Sequence, residues 1–126
     1  MNHDKTSIEP WFNIANGKLA LEFYKSAFGA VETYRLEDPG GGLVARLSIN
    51  GAAFWISSDS NPDIDHKPLG GNNLRMILIT DGPDVLFNRA IQAGATEIFP
   101  VGEEHGWRLG RIADPFGLHW EIGRQI

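Results

Sequence analysis

A chain of 126 residues that repeats itself has few ways to fold. Sliding the sequence 65 places along itself, ungapped, sets Ile14 on Ile79, Asn16 on Asp81, Gly17 on Gly82, Leu21 on Leu86, Gly29 on Gly94, Ala30 on Ala95 and Glu32 on Glu97. The cap residues and the helix-ending glycines in that series coincide with boundaries read independently from the chain. The duplication predicts two copies of one supersecondary unit.

The first copy reads as β-α-β-β-β. Glu9–Ile14 alternates, with Pro10, Phe12 and Ile14 on one side and Glu9, Trp11 and Asn13 on the other. Asn16 is placed to cap a helix that carries Ala20, Phe23, Tyr24, Ala27 and Phe28 at helical spacing before Gly29 closes it. Val31–Leu36 runs to the turn cluster at Asp38–Gly42, and Leu43–Ile49 alternates again. Asn50-Gly51 then signals a two-residue hairpin, because both central positions of a type I′ turn need positive φ. Ala52–Ser58 is the returning strand.

The second copy follows residues 59–73, a Pro-, Gly-, Asp- and Asn-rich stretch without periodicity that reads as a linker or flap. Leu74–Thr80 predicts a strand, Asp81 a cap, and Leu86, Phe87, Ala90 and Ala93 the inward face of a helix ended by Gly94; Thr96–Val101 begins the next strand. Trp107–Ala113 and Leu118–Ile122 flank Asp114-Pro115-Phe116-Gly117, whose residue types suit a type I turn. On the last strand His119 and Glu121 share one face, and Leu118, Trp120 and Ile122 the other. Trp120 is expected in the core beneath a helix.

The expected fold is therefore α+β: two βαβββ modules (about 9–58 and 74–123) in a single domain, 1–126. Each sheet has helices on its outer face and an open concave face. A concave apolar surface with a few convergent polar groups is a small-molecule site. Eleven basic against sixteen acidic residues give a net charge of −5, which argues against nucleic-acid or anionic-membrane partners. The chain has no cysteine, a polar N-terminus and no stretch of membrane-spanning length, so a cytoplasmic protein is expected. Gly40–Gly42, Gly70 and Gly71 read as turns, since no helix or Lys-Ser/Thr follows them. His3 and His66 read as surface residues.

FYKSAFGA at Phe23–Ala30 and GRIADPFGLHWEI at Gly110–Ile122, set in this duplicated pattern, resemble the vicinal oxygen chelate superfamily of glyoxalases, bleomycin-resistance proteins and extradiol dioxygenases. The likeness spans about residues 9–123 and is greatest to the PhnB-like branch, although His105-Gly106 stands where that branch often has Trp-Gly. The resemblance implies four metal-ligand positions, at Glu9, Trp55, Arg75 and Glu121. Trp55 offers no ligand atom and the Arg75 guanidinium repels a cation, which argues against a bound metal. Arg75 is instead expected between Glu9 and Glu121 as an ion pair.

Glu121 and His119 are the catalytic candidates, as general base or acid, weighed against a salt-bridge partner and a solvated histidine. Glu9, Trp11, Trp55, Arg75, His105, Trp107 and Glu121 are the ligand-binding candidates. The tryptophans are read as an aromatic wall or as ordinary packing. Two readings follow. One is a cofactor-free protein that binds a small organic molecule in its groove, as the resistance proteins do. The other is a lyase, isomerase or dioxygenase using a divalent metal held by Glu9, Glu121 and either His119 or His105. The family resemblance implies a homodimer in either case.

Overall fold

The computed structural model describes residues 6–59 and 74–126. His3, His66, Gly70, Gly71 and all of the expected linker but Asp59 lie outside the described residues. The elements run β1 (Trp11–Asn13), α1 (Gly17–Phe28), β2 (Val31–Glu37), β3 (Leu43–Ile49), β4 (Ala52–Ser58), β5 (Arg75–Ile79), α2 (Pro83–Gln92), β6 (Thr96–Glu104), β7 (Trp107–Ala113) and β8 (His119–Gln125). They form two four-stranded sheets, ordered β1-β4-β3-β2 and β5-β8-β7-β6. In each sheet the first strand of the module pairs parallel to the last, and the other pairs are antiparallel.

Local chemistry explains the boundaries. Asn16 caps α1 by accepting a hydrogen bond from the Leu19 amide at 3.1 Å, and Gly29 ends the helix at φ 68°, where a β-carbon would be strained. Asn50 and Gly51 both have positive φ, as the type I′ reading requires. Asp81 does not cap α2. Its N-cap is Gly82, without a side-chain cap bond, and Pro83 takes the first turn, where its missing N–H costs nothing.

That correction has a geometric cause. The bond from Ile14 N to Ser57 O recurs as Thr80 N to Gly123 O, so in this region the true repeat is 66, not 65. Asn16 therefore corresponds to Gly82. A slip of one residue exchanges the faces of a strand: Ile14 is buried, whereas Ile79, its partner in the ungapped comparison, is 57% exposed.

The core lies between helices and sheets and runs across both modules. The Trp120 ring sits 4.8 Å from Phe28, 5.6 Å from Phe54 and 5.7 Å from Tyr24, so a second-module tryptophan is enclosed largely by first-module aromatics. Asp114, read in the sequence only as a turn former, is the one buried charged residue among the described residues. Its carboxylate accepts from Tyr24 Oη at 2.6 Å, Trp120 Nε1 at 3.0 Å, Phe116 N at 2.9 Å and Leu118 N at 3.0 Å. Burial pushes this carboxyl up from its ordinary value and the four donors pull against it; the Tyr24 phenol is pushed up as well, chiefly by burial. Arg89 of α2 adds a second tie by donating from Nε to Ser26 O, in the last turn of α1, at 2.7 Å.

Candidate functional site

Helices cover one face of each sheet, and the alternation along the strands sends a distinct set of side chains to the other. In the first module that open face carries Trp11, Tyr34, Arg46 and Trp55, with Glu9 just ahead of β1. Glu9 is held on both oxygens: Arg46 Nε donates to Oε1 at 2.8 Å and Nη2 to Oε2 at 2.7 Å, while Trp55 Nε1 donates to Oε1 at 2.9 Å. A third guanidinium nitrogen of Arg46, Nη1, reaches Thr33 Oγ1 at 3.1 Å. The hydrogen bonds from Arg46, then that from Trp55, lower the Glu9 pKa to about 2. Trp11 stacks on Trp55 with centroids 5.9 Å apart and planes 16° apart, and Tyr34 leans on the other flank of Trp55 at 5.7 Å. Trp11 is half exposed, so the stack forms a wall open to solvent.

The second module places Arg75, Ile77, Phe99, Arg111, His119 and Glu121 on the corresponding face. Glu121 Oε1 accepts from two guanidiniums, Arg75 Nη1 at 2.9 Å and Arg111 Nη2 at 3.2 Å. The Arg111 guanidinium carbon lies 5.2 Å from the centre of the Phe99 ring, a cation–π contact. Arg111 Nε and His119 Nδ1 are buried without a hydrogen-bond partner among the described residues.

The four positions form two pairs related by the repeat. In both sheets the first strand lies beside the last, so Glu9 and Arg75 occupy equivalent places, as do Trp55 and Glu121, 66 residues apart. The expected bridge does not form: Arg75 bonds Glu121, and Glu9 is paired instead with Arg46. Sequence reasoning missed Arg46 and Arg111. They match at the 65-residue offset, and each sits between inward-facing residues of a middle strand, a signal the sequence carried.

His105 and Trp107 do not join this cluster. His105 occupies the β6–β7 turn at φ 52°, its side chain 87% exposed beside Glu104. Trp107 pairs with Gln125, four residues along from the Arg111–Glu121 pair, roughly 13 Å away at strand spacing. A separate groove of about 470 Å³ lies on the helix side, lined by residues including Leu19, Phe23, Ala93 and Phe116. It lies away from both ion-pair clusters.

The donor set does not fit a divalent metal. Two of the four candidate ligand positions hold Trp55 and Arg75, and both acids accept hydrogen bonds from guanidinium groups. Among the described residues no three His, Cys, Asp or Glu side chains gather where they could hold an ion.

The fold is shared with solved structures that include a glyoxylase/bleomycin resistance protein/dioxygenase domain from Frankia, with a TM-score of 0.79 at 13% identity over 97% of this chain and 93% of its own. TioX from Micromonospora matches over 96% of this chain and all of its own, with a TM-score of 0.74 at 22% identity. The fosfomycin resistance protein FosX of Listeria monocytogenes, complexed with Mn(II) and sulfate, matches over 96% of this chain and 93% of its own, with a TM-score of 0.73 at 14% identity. A glyoxalase I mutant of Zea mays matches 98% of this chain with 46% of its own, at a TM-score of 0.79 and 16% identity. In sequence, an uncharacterized protein of Mycobacterium bovis is 33% identical over 95% of this chain and 84% of its own. One of Arabidopsis thaliana is 30% identical over 80% and 67%. This chain belongs to the family of those mycobacterial and plant proteins. No protein-family model matches it.

Proposed function

We propose that this protein is a PhnB-like member of the superfamily that binds a small organic molecule on its concave faces without a metal, and that it does so as a homodimer. The observation that carries the reading is the pairing of both candidate metal-binding acids with arginine. Glu9 is bonded by Arg46 and Trp55, and Glu121 by Arg75 and Arg111. Freeing either acid for a cation breaks charge-assisted bonds and brings the cation against a fixed positive charge.

What the faces offer instead is area. Trp11, Tyr34, Ile77, Ile79 and Phe99 are all exposed on strands, and exposed aromatic and aliphatic surface of this kind marks a binding or association site. The Trp11–Trp55 stack suits a flat ligand. The same exposed faces support the homodimer, in which a second copy covers part of them.

The Mn(II)-bound FosX neighbour favours a second reading, a metal-dependent enzyme using Glu9, Glu121 and His119. Elemental analysis of the untreated protein, run beside a thermal-shift screen of metabolites and of Mn, Ni, Zn and Fe salts, separates the two. The expected result is stabilisation by organic compounds and less than a tenth of an equivalent of metal. One equivalent of bound metal overturns the proposal.

A further inference from the structure

We infer that the open face of the second module is an oxyanion site, in which Arg75 and Arg111 engage the carboxylate or phosphoryl group of the ligand. The inference rests on the small-molecule reading and narrows it to an anionic class.

The argument is a comparison between the two halves of one molecule. In the first module one guanidinium faces one carboxylate, Nε and Nη2 of Arg46 each taking an oxygen of Glu9. Charge and hydrogen bonds are both balanced there. In the second module two guanidiniums converge on a single carboxylate oxygen, Glu121 Oε1, each donating one N–H to it. A guanidinium has five N–H donors. Among the described residues the cluster therefore holds one positive charge in excess, and most of its donors have no partner.

Two further observations point the same way. Arg111 Nε, the atom whose counterpart in Arg46 completes a bidentate pair, is buried without a partner among the described residues. Beside the cluster, His119 is the register partner of Arg75, and its Nδ1 is also buried without a partner among the described residues. A buried donor with no acceptor is rare in a finished structure and marks a missing partner. An incoming oxyanion supplies what is absent: acceptor lone pairs for the forks of two arginines, and one negative charge to balance the excess. Glu121 keeps the two guanidiniums together before the ligand arrives, and Phe99 supports the Arg111 plane from one side. Ile77, exposed on the neighbouring strand, gives the carbon part of the ligand a surface to lie on.

The test titrates the whole chain with benzoate, phenyl phosphate and the neutral benzyl alcohol, following tryptophan fluorescence and the NMR resonances of the arginine Nε–H groups. Benzoate or phenyl phosphate should bind at least tenfold more tightly than benzyl alcohol and shift the Arg111 Nε–H signal. The preferred anion identifies the oxyanion type. Arg111→Gln and Arg75→Gln should each weaken anion binding at least tenfold, with Arg111→Lys intermediate, whereas Arg35→Gln, in a surface ion pair with Glu32, leaves it unchanged. Arg75 is nearly half exposed, so its substitution tests the idea even if Arg111→Gln does not fold. Anions that bind no more tightly than the alcohol, or that bind both Gln variants as they bind the wild type, overturn the oxyanion site. Binding of the alcohol without charge preference does so while sparing the small-molecule reading. Silence from all three probes also refutes the oxyanion site, and the wider screen then decides the broader proposal.

Discussion

Replacing Asp114 by Asn keeps the shape of the side chain and removes half of its accepting capacity, at the point where the two modules are joined. One oxygen can still accept from the Phe116 and Leu118 amides, as Oδ1 does now. The new amide NH2 then faces Tyr24 Oη and Trp120 Nε1, which now donate to Oδ2. A hydroxyl can rotate to accept; an indole N–H cannot. Two charge-assisted bonds, each about 1.5–3 kcal/mol, give way to one neutral bond of about 1 kcal/mol, and a stranded indole N–H adds about 1–3 kcal/mol. Relief from burying a charge, which raises this carboxyl's pKa, returns part of that. A net loss of about 3 kcal/mol is expected. With an unfolding entropy of about 2.1 cal/mol/K per residue, that loss lowers Tm by roughly 11 °C for a chain of 126 residues. Calorimetry gives the shift directly. A double-mutant cycle with Tyr24→Phe, worth about 2 kcal/mol alone, should show a coupling of about 1 kcal/mol or more, because the two residues share one bond. A Tm within about 2 °C of wild type, or additivity within about 0.5 kcal/mol, refutes the idea that this carboxylate ties the modules together.

Three further outcomes follow from particular contacts. Glu9 is held at about 2, below its ordinary 4.5, so its pairing supports the fold above pH 4.5 and is lost as pH falls toward 2. The stability gap between wild type and Glu9→Gln in urea melts should therefore narrow over that range, and a gap constant with pH would show that Glu9 is not paired. Trp120→Ala empties the space between Tyr24, Phe28 and Phe54 and should cost about 3–5 kcal/mol by denaturant titration; under about 1 kcal/mol means the core collapses around the gap. At Gly123 an added β-carbon would lie 2.5 Å from Leu109 Cβ and 2.6 Å from Arg108 O. Because the second of these is backbone, Gly123→Ala should lose about 1–3 kcal/mol, and an unchanged melt would mean the β7–β8 pairing is looser than described.

Much of the architecture could be read before the structure because it is local. Asn50-Gly51 dictates its own hairpin, Asn16 and Gly29 bound a helix between them, and period-two alternation puts Glu9, Trp11 and Asn13 opposite Phe12 and Ile14. The duplication carried this further, to two βαβββ units with an open face each. It failed where counting had to be correct to one residue. The ungapped offset of 65 holds for the start of β2, Val31 to Tyr34, and for β3, but β1, β4, the helix starts and, beyond the irregularity at Phe99–Gly102, the end of β2 repeat at 66. That single step made Asp81 look like a cap and set exposed Ile79 against buried Ile14.

The chain's own pattern thus determined which residues face the core and which face the open side, since alternation and turn chemistry depend on neighbours a few places away. It put Glu9 and Glu121 on open faces and Trp120 inside, while the family resemblance supplied Arg75. Which acid meets which base was decided only in three dimensions. Strand register sets Arg111 opposite Glu121, parallel pairing places Arg75 on the adjacent strand, and Arg46 reaches Glu9 across β4. Asp114 makes the same point from the interior: its sequence neighbours specify a turn, and a tyrosine 90 residues away turns it into the joint between the modules. Ion pairs and buried hydrogen bonds act over a few ångströms, and such distances between remote residues exist only once the sheets have formed.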